Sequence, residues 1–188
     1  MTGIITVEQI VSVDGFAAEP DGGLSFFEAA PFEDDDRTDS AQMRWLETVD
    51  AILLGRRTYE MFAAYWPEAD PATEAVAVPI ARLPKHVVSR TLDRAPWGDG
   101  EIDVVPGLDE AAALRERFSS IAVWGSLELT RGLFDAGLVD VLRLRVVPVL
   151  IGSGWGFAPP DLPQTALRLE HTETAPTGHV LLQYRVAR

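Results

Sequence analysis

Between Ile4 and Leu138 the chain repeats one pattern: a short run of branched apolar residues, a glycine or hydroxyl residue where the run stops, then a stretch of helical spacing. Runs of this length flanked by turn residues read as buried strands, and strands joined through helices pair in parallel. Ile4–Val13 stops at Asp14-Gly15, Ala51–Leu54 stops at Gly55, and His86–Val88 gives way to Ser89-Arg90-Thr91. Ile102–Val105 and Ile121–Trp124 follow, the latter stopping at Gly125. Helical spacing covers Ser40–Thr48, Arg56–Trp66, Asp109–Phe118 (with Asp109 as its cap) and Ser126–Ala136. After Leu138 the pattern changes. Val139–Leu150 alternates apolar residues with Arg143 and Arg145, and Ala166–Thr174 faces His179–Val186 across Pro176-Thr177-Gly178. Strand following strand without a helix between them is antiparallel. The expectation is therefore an α/β fold whose sheet is parallel at its centre and closes on an antiparallel C-terminal hairpin. Residues 16–31 and 151–160 read as loops, Pro67–Pro84 as irregular, and the glycines of Gly152–Gly156 as marks of a bulge or tight turn.

Composition narrows the function classes. A chain of 188 residues has room for one domain, read here as residues 1–188, and at that size folding buries roughly 70% of the extended chain's surface. There is no cysteine, which removes thiol catalysis, thiolate metal sites and disulfide scaffolds. The histidines His86, His171 and His179 lack metal-ligand spacing, so no metal is expected. No stretch of about 18 apolar residues is present. Met1–Gln9 has no basic head before an apolar block, which makes the cytoplasm the default location. The net charge of −13 disfavours nucleic acid and anionic membrane surfaces as partners and leaves a small molecule. Acids concentrate in Met1–Asp50, and the run Glu33–Asp36 reads as a solvated face or a helix start.

In an open α/β sheet, ligands bind beyond the carboxyl ends of parallel strands. Three such ends carry anion-binding groups. Gly55 permits a close turn, Arg56 and Arg57 stand at the positive end of the next helix, and Thr58 adds a hydroxyl. Ser89 and Arg90 place a hydroxyl and a guanidinium at a second exit, and Gly125-Ser126 opens a helix at the third. Together they describe a basic niche in an acidic chain, suited to a phosphorylated ligand. No GxxxxGK[ST] loop or GxSxG elbow occurs, and Gly152–Gly156 lacks the helix that a dinucleotide fingerprint requires.

The blocks SVDGF, AILLGRRTYE, KHVVSRTL and IAVWGSLELTRGLFDAGLVDVLRLRVVPVLIGSGWGF, in this order and nearly end to end, resemble the dihydrofolate reductase-like superfamily. Within it they are most similar to stand-alone homologues of the riboflavin-biosynthesis (RibD C-terminal) reductase domain. The resemblance implies a three-layer α/β/α fold with a mixed sheet of about eight strands, NADPH as cofactor, and hydride transfer to a C=N or C=O bond of a small heterocyclic or carbonyl substrate. It places Gly55, Arg56, Arg57 and Thr58 at the 2′-phosphate and pyrophosphate. Ser89 and Arg90 would lie along the adenosine, and Gly125, Ser126 and Leu127 close to the nicotinamide and pyrophosphate. Phe16 and the pair Phe26-Phe27 fall in the family's mobile loop, where they either close the site or anchor the loop in the core. For the proton, a count of sixteen residues back from Gly55 falls on Asp39, and Asp14 is the alternative. Each also has a structural reading, as a helix cap and a turn-former respectively. Family members are commonly dimers, and Val141–Val149 with the C-terminal hairpin offers an interface. Phe16 replaces the usual basic residue after DG, and there is no length for a deaminase domain; both point away from riboflavin synthesis itself. An NADP(H)-binding module without turnover and a self-associating structural protein stay open as alternatives.

Overall fold

The computed structural model describes residues 2–30 and 37–187, without the side chains of residues 28 and 37–39. The acidic run Glu33–Asp36 lies outside the described residues. The chain opens with β1 (Ile4–Ser12), β2 (Phe16–Ala18), α1 (Phe26–Ala29), α2 (Arg37–Leu46), β3 (Ala51–Gly55) and α3 (Arg56–Tyr65). Next come α4 (Ala77–Arg82), β4 (Lys85–Val88), β5 (Pro96–Trp97), β6 (Gly100–Glu101), β7 (Asp103–Val105), α5 (Leu108–Ala113) and β8 (Ser120–Trp124). It ends with α6 (Leu127–Asp135), β9 (Val141–Val147), β10 (Trp155–Gly156), β11 (Leu167–Thr174) and β12 (Val180–Val186).

Eight strands form one sheet in the order β11-β12-β9-β1-β8-β3-β4-β7. From β9 to β7 every pairing is parallel; β12 joins β9 and β11 joins β12 antiparallel. This is the mixed sheet expected from the change of pattern after Leu138. Side chains alternate across the strands and divide the core into two layers. Leu53, Val123, Ile5 and Val7 pack with Ala111, Leu114, Leu129 and Leu133 of the α5–α6 side. Ile52, Leu54, Ala122 and Trp124 pack with Leu46, Tyr59 and Ile80 of the α2–α3–α4 side.

Three local expectations change. Pro67–Pro84 contains a 3-10 turn at Trp66–Glu68 and the helix α4. Pro79 stands in the first turn of α4, where its missing N–H interrupts no intrahelical bond. The residue capping α5 is Gly107, not Asp109; Asp109 lies in the first turn, where its carboxylate faces the positive end of the helix. The two glycine-rich loops are partly ordered against each other, since β2 and β10 pair antiparallel with a register shift at Trp155/Gly156.

Candidate cofactor site

Strands β8, β3 and β4 are neighbours and run parallel, so their carboxyl ends leave the sheet on one edge in that order. The groups singled out in the sequence arrive there together. Gly125 (φ 52°) and Ser126 (φ 57°) are consecutive left-handed residues, and Ser126 is the one non-glycine with positive φ among the described residues. Its side chain accounts for the placement. The Ser126 hydroxyl accepts the Gly55 N–H at 2.8 Å and donates to the Trp124 carbonyl at 2.8 Å, while the Ser126 N–H donates to Thr58 Oγ1 at 2.9 Å. A Cβ added at Gly55 would sit 3.2 Å from the Ser126 Cβ, so the two turns are in contact. Helices α3 and α6 begin at these turns without a side-chain cap. Their opening N–H groups have no intrahelical partner, and two positive helix ends converge on one edge.

The arginines extend this edge. Arg56 donates from Nε to Glu60 Oε1 at 2.8 Å and from Nη1 to Thr91 Oγ1 at 2.7 Å, reaching across to the β4 exit. Arg57 is exposed, 3.9 Å from Glu128 in the first turn of α6, with its guanidinium 5.8 Å from the centre of the Trp155 ring on β10. Ser89 is buried and shapes the exit, its hydroxyl accepting the N–H groups of Thr91 and Leu92 at 3.2 Å each. Arg90 is exposed at the same exit and makes no ion pair or hydrogen bond among the described residues. Gly55, Arg56, Arg57, Thr58, Ser89, Gly125, Ser126 and Leu127 are thus one connected set, with Arg90 at its margin.

The two carboxylates considered for proton delivery stand differently. Asp14 Oδ1 accepts the Ser12 hydroxyl at 2.6 Å, and its oxygens also accept the N–H groups of Gly152 at 2.7 Å and Ile151 at 3.3 Å. The Ser12 hydroxyl first, then these backbone donors, hold its pKa below the ordinary carboxylate value. Asp14 therefore stays ionised at neutral pH and ties the segment after β9 to the end of β1. Asp39 lies on α2, and its side chain is outside those described. Of the aromatic residues in the first loop, Phe26 is buried in contact with Phe27 and anchors α1. Phe16 belongs to the β2–β10 ribbon, along which Glu19, Pro20, Asp21, Ile151 and Ser153 line an acidic cleft of about 550 Å³.

Sequence reasoning passed over the polar residues buried beneath this edge. Glu8, on β1, accepts Gln42 Nε2 at 2.6 Å and Trp124 Nε1 at 2.7 Å on one oxygen and Arg143 Nε at 2.9 Å on the other. Arg143 also reaches Gln42 at 2.9 Å and Gln183 at 3.0 Å, and lies 4.3 Å from the centre of the Trp45 ring. Gln9 donates to the Gly125 carbonyl. The signal was present: the adjacent pair Glu8-Gln9 in the middle of a strand rich in branched apolar residues. Among the described residues, no group of three or more histidines, aspartates or glutamates could hold a metal, and no helix is long and apolar enough to cross a membrane.

The mixed eight-stranded sheet, with helices on both faces and glycine turns at two of three adjacent exits, defines an α/β protein of the dihydrofolate reductase-like fold. The chain belongs to the RibD C-terminal domain family, which it matches over residues 4–181. A candidate riboflavin biosynthesis protein from Shewanella sp. PV-4 superposes with a TM-score of 0.78 at 20% identity, over 100% of each chain. A dihydrofolate reductase from Enterococcus faecalis, in complex with NADP(H), gives 0.61 at 16% identity over 100% of this chain and 99% of its own. The diaminohydroxyphosphoribosylaminopyrimidine deaminase/5-amino-6-(5-phosphoribosylamino)uracil reductase of Thermotoga maritima gives 0.65 at 14% identity, with 99% of this chain spanning 57% of that longer one.

Proposed function

We propose that this protein is an NADPH-dependent reductase that transfers a hydride to a C=N or C=O bond of a small heterocyclic or carbonyl substrate. The observation that carries the reading is the contact between the two glycine turns. It points two uncapped helix starts and the Arg56–Arg57 pair at one edge of the sheet. Family membership, and the reductase neighbours of the same fold, support it.

The donor set fits the cofactor. Arg56 and Arg57 match a 2′-phosphate through planar forks, and the first N–H groups of α3 and α6 match a pyrophosphate. Thr58 Oγ1 accepts from Ser126, which leaves its own O–H hydrogen to donate to a ligand oxygen. Gly125 and Leu127 let the backbone approach the nicotinamide closely, while Ser89 and Arg90 border the adenosine. When bound, NADPH supplies the hydride; the chain binds it, orients it and excludes water. Asp39, which the family resemblance places sixteen residues before Gly55, is the residue proposed to hand a proton to the reduced bond, because the Asp14 oxygens are already engaged by three donors. The same engagement favours a second reading, cofactor binding without turnover.

Fluorescence titration tests the site. NADPH is expected to bind more tightly than NADH. Arg56→Ala with Arg57→Ala is expected to weaken NADPH at least tenfold, since each charge-assisted hydrogen bond to the phosphate is worth about 1.5–3 kcal/mol. No binding at millimolar NADPH removes the reading. Oxidation of NADPH with any member of a pterin, pyrimidine and carbonyl panel separates turnover from binding alone. Pairing of two copies through Val141–Val149 and the C-terminal hairpin belongs to the same proposal, and a monomer mass by light scattering at micromolar concentration defeats it.

A further inference from the structure

We propose that Gln9 is a positioning residue for cofactor binding: its buried amide grips the Gly125–Ser126 peptide and holds α6 in aim at the ligand. The inference rests on the cofactor site proposed above. Gln9 lies within β1, 2% exposed, and a buried amide is costly unless its groups are paired. Its Nε2 donates to the Gly125 carbonyl and, at 3.3 Å, to Thr130 Oγ1. The hydroxyl of Thr130, itself fully buried, donates to the same carbonyl at 3.2 Å. Both acceptor positions of that oxygen are thereby filled. Across the same peptide, the Ser126 N–H is held by Thr58 at 2.9 Å, and the preceding N–H, that of Gly125, donates to the Glu8 carbonyl at 3.2 Å.

One peptide plane is thus clamped at both ends, and the residues flanking its C–N bond are both left-handed. Serine adopts this conformation only when its surroundings impose it. Turning the plane over would exchange the places of the Gly125 carbonyl and the Ser126 N–H and break the holds on both, at the residue from which α6 starts. Gln9 is buried and reaches the sheet edge through the Gly125 carbonyl, so it acts through the peptide and not on the cofactor.

The test compares two probes by calorimetry: NADP⁺, which spans all three exits, and 2′,5′-ADP, which lacks the nicotinamide half and needs only the α3–β4 side. Gln9→Met keeps the volume and removes the donor. It is expected to weaken NADP⁺ about tenfold, the scale of one or two hydrogen bonds, and to change 2′,5′-ADP less than twofold. Thr130→Val is expected to act in the same direction. Gln9→Glu provides a rescue that filling of the core would not show. Burial favours the neutral acid, whose O–H can donate to the carbonyl, whereas the ionised form cannot. Its NADP⁺ affinity, taken relative to wild type at each pH, is expected to recover as pH falls from 8 to 5.5, about tenfold if one hydrogen bond is restored. Equal NADP⁺ affinity in wild type and Gln9→Met overturns the proposal, as does an equal loss for both probes or a flat Gln9→Glu profile. If Gln9→Met does not fold, Thr130→Val and the Gln9→Glu profile decide it. Wild-type protein that binds neither probe removes the cofactor site itself, a result distinct from failure of the clamp alone.

Discussion

Lys85, the sole lysine of the chain, shows what burial does to one side chain. Its ammonium donates to the Leu83 carbonyl at 2.8 Å and the Ala81 carbonyl at 3.3 Å, and lies 4.9 Å from the centre of the Trp97 ring. No carboxylate is paired with it among the described residues, and burial lowers its pKa from 10.5 to about 8. Between those two values the unfolded chain holds a proton that the folded chain has released. The Lys85 contribution to stability therefore rises as pH climbs from about 8 to 10.5 and is constant below that window. With ¹³C-labelled lysine the protein is expected to show a single ε-carbon signal titrating near 8; a midpoint near 10.5 would contradict the burial. Asp14 is the opposite case. Its pKa is depressed, so its hold on Gly152 is complete above the ordinary carboxylate value and is lost only as pH falls through the lowered one.

The Glu8–Arg143 pair binds elements rather than residues. Through Glu8, Trp124, Arg143, Gln183 and Gln42 it joins β1, β8, β9, β12 and α2, with both charges nearly out of contact with water. Such a pair costs desolvation and is repaid by its hydrogen bonds, so removing one member leaves an uncompensated charge inside. Glu8→Leu is expected to destabilise the fold by about 3–5 kcal/mol in urea unfolding, and adding Arg143→Leu to recover part of that loss. A cost for Glu8→Leu below about 1 kcal/mol, the scale of an exposed pair, would show that the network is not closed to water. The alternation of apolar residues with Arg143 and Arg145 marked the strand but not the depth of the arginine. Depth depends on α2 covering this face, and nothing within β9 records that.

At the scale of the molecule, the charges are divided. A chain of net charge −13 places two arginines and two helix starts on one sheet edge, so the proposed attraction for a phosphorylated ligand is local. Binding there acts on the whole fold, because a ligand that prefers the native state raises the melting temperature. At one hundred times its dissociation constant the gain is about 2.7 kcal/mol. For a chain of this size that corresponds to roughly 5–10 °C. NADPH is expected to produce this shift and NADH, at the same concentration, a clearly smaller one; a melting temperature indifferent to both would favour a structural protein without a nucleotide site.

The sequence alone determined the eight strands of the main sheet, most of the helices and the three exits with Gly55, Ser89 and Gly125, because these follow from local sterics and from the period of the side chains. It also determined the parallel centre and the antiparallel end, since the length and type of a connection decide how two strands can pair. Only the tertiary structure decided that Gln9 meets the carbonyl of Gly125, 116 residues later, and that Asp14 closes on Gly152, 138 residues later. Pairings of that span leave no local pattern. They arise when a crossover brings two distant strands together and a buried polar atom must find whichever partner is then beside it.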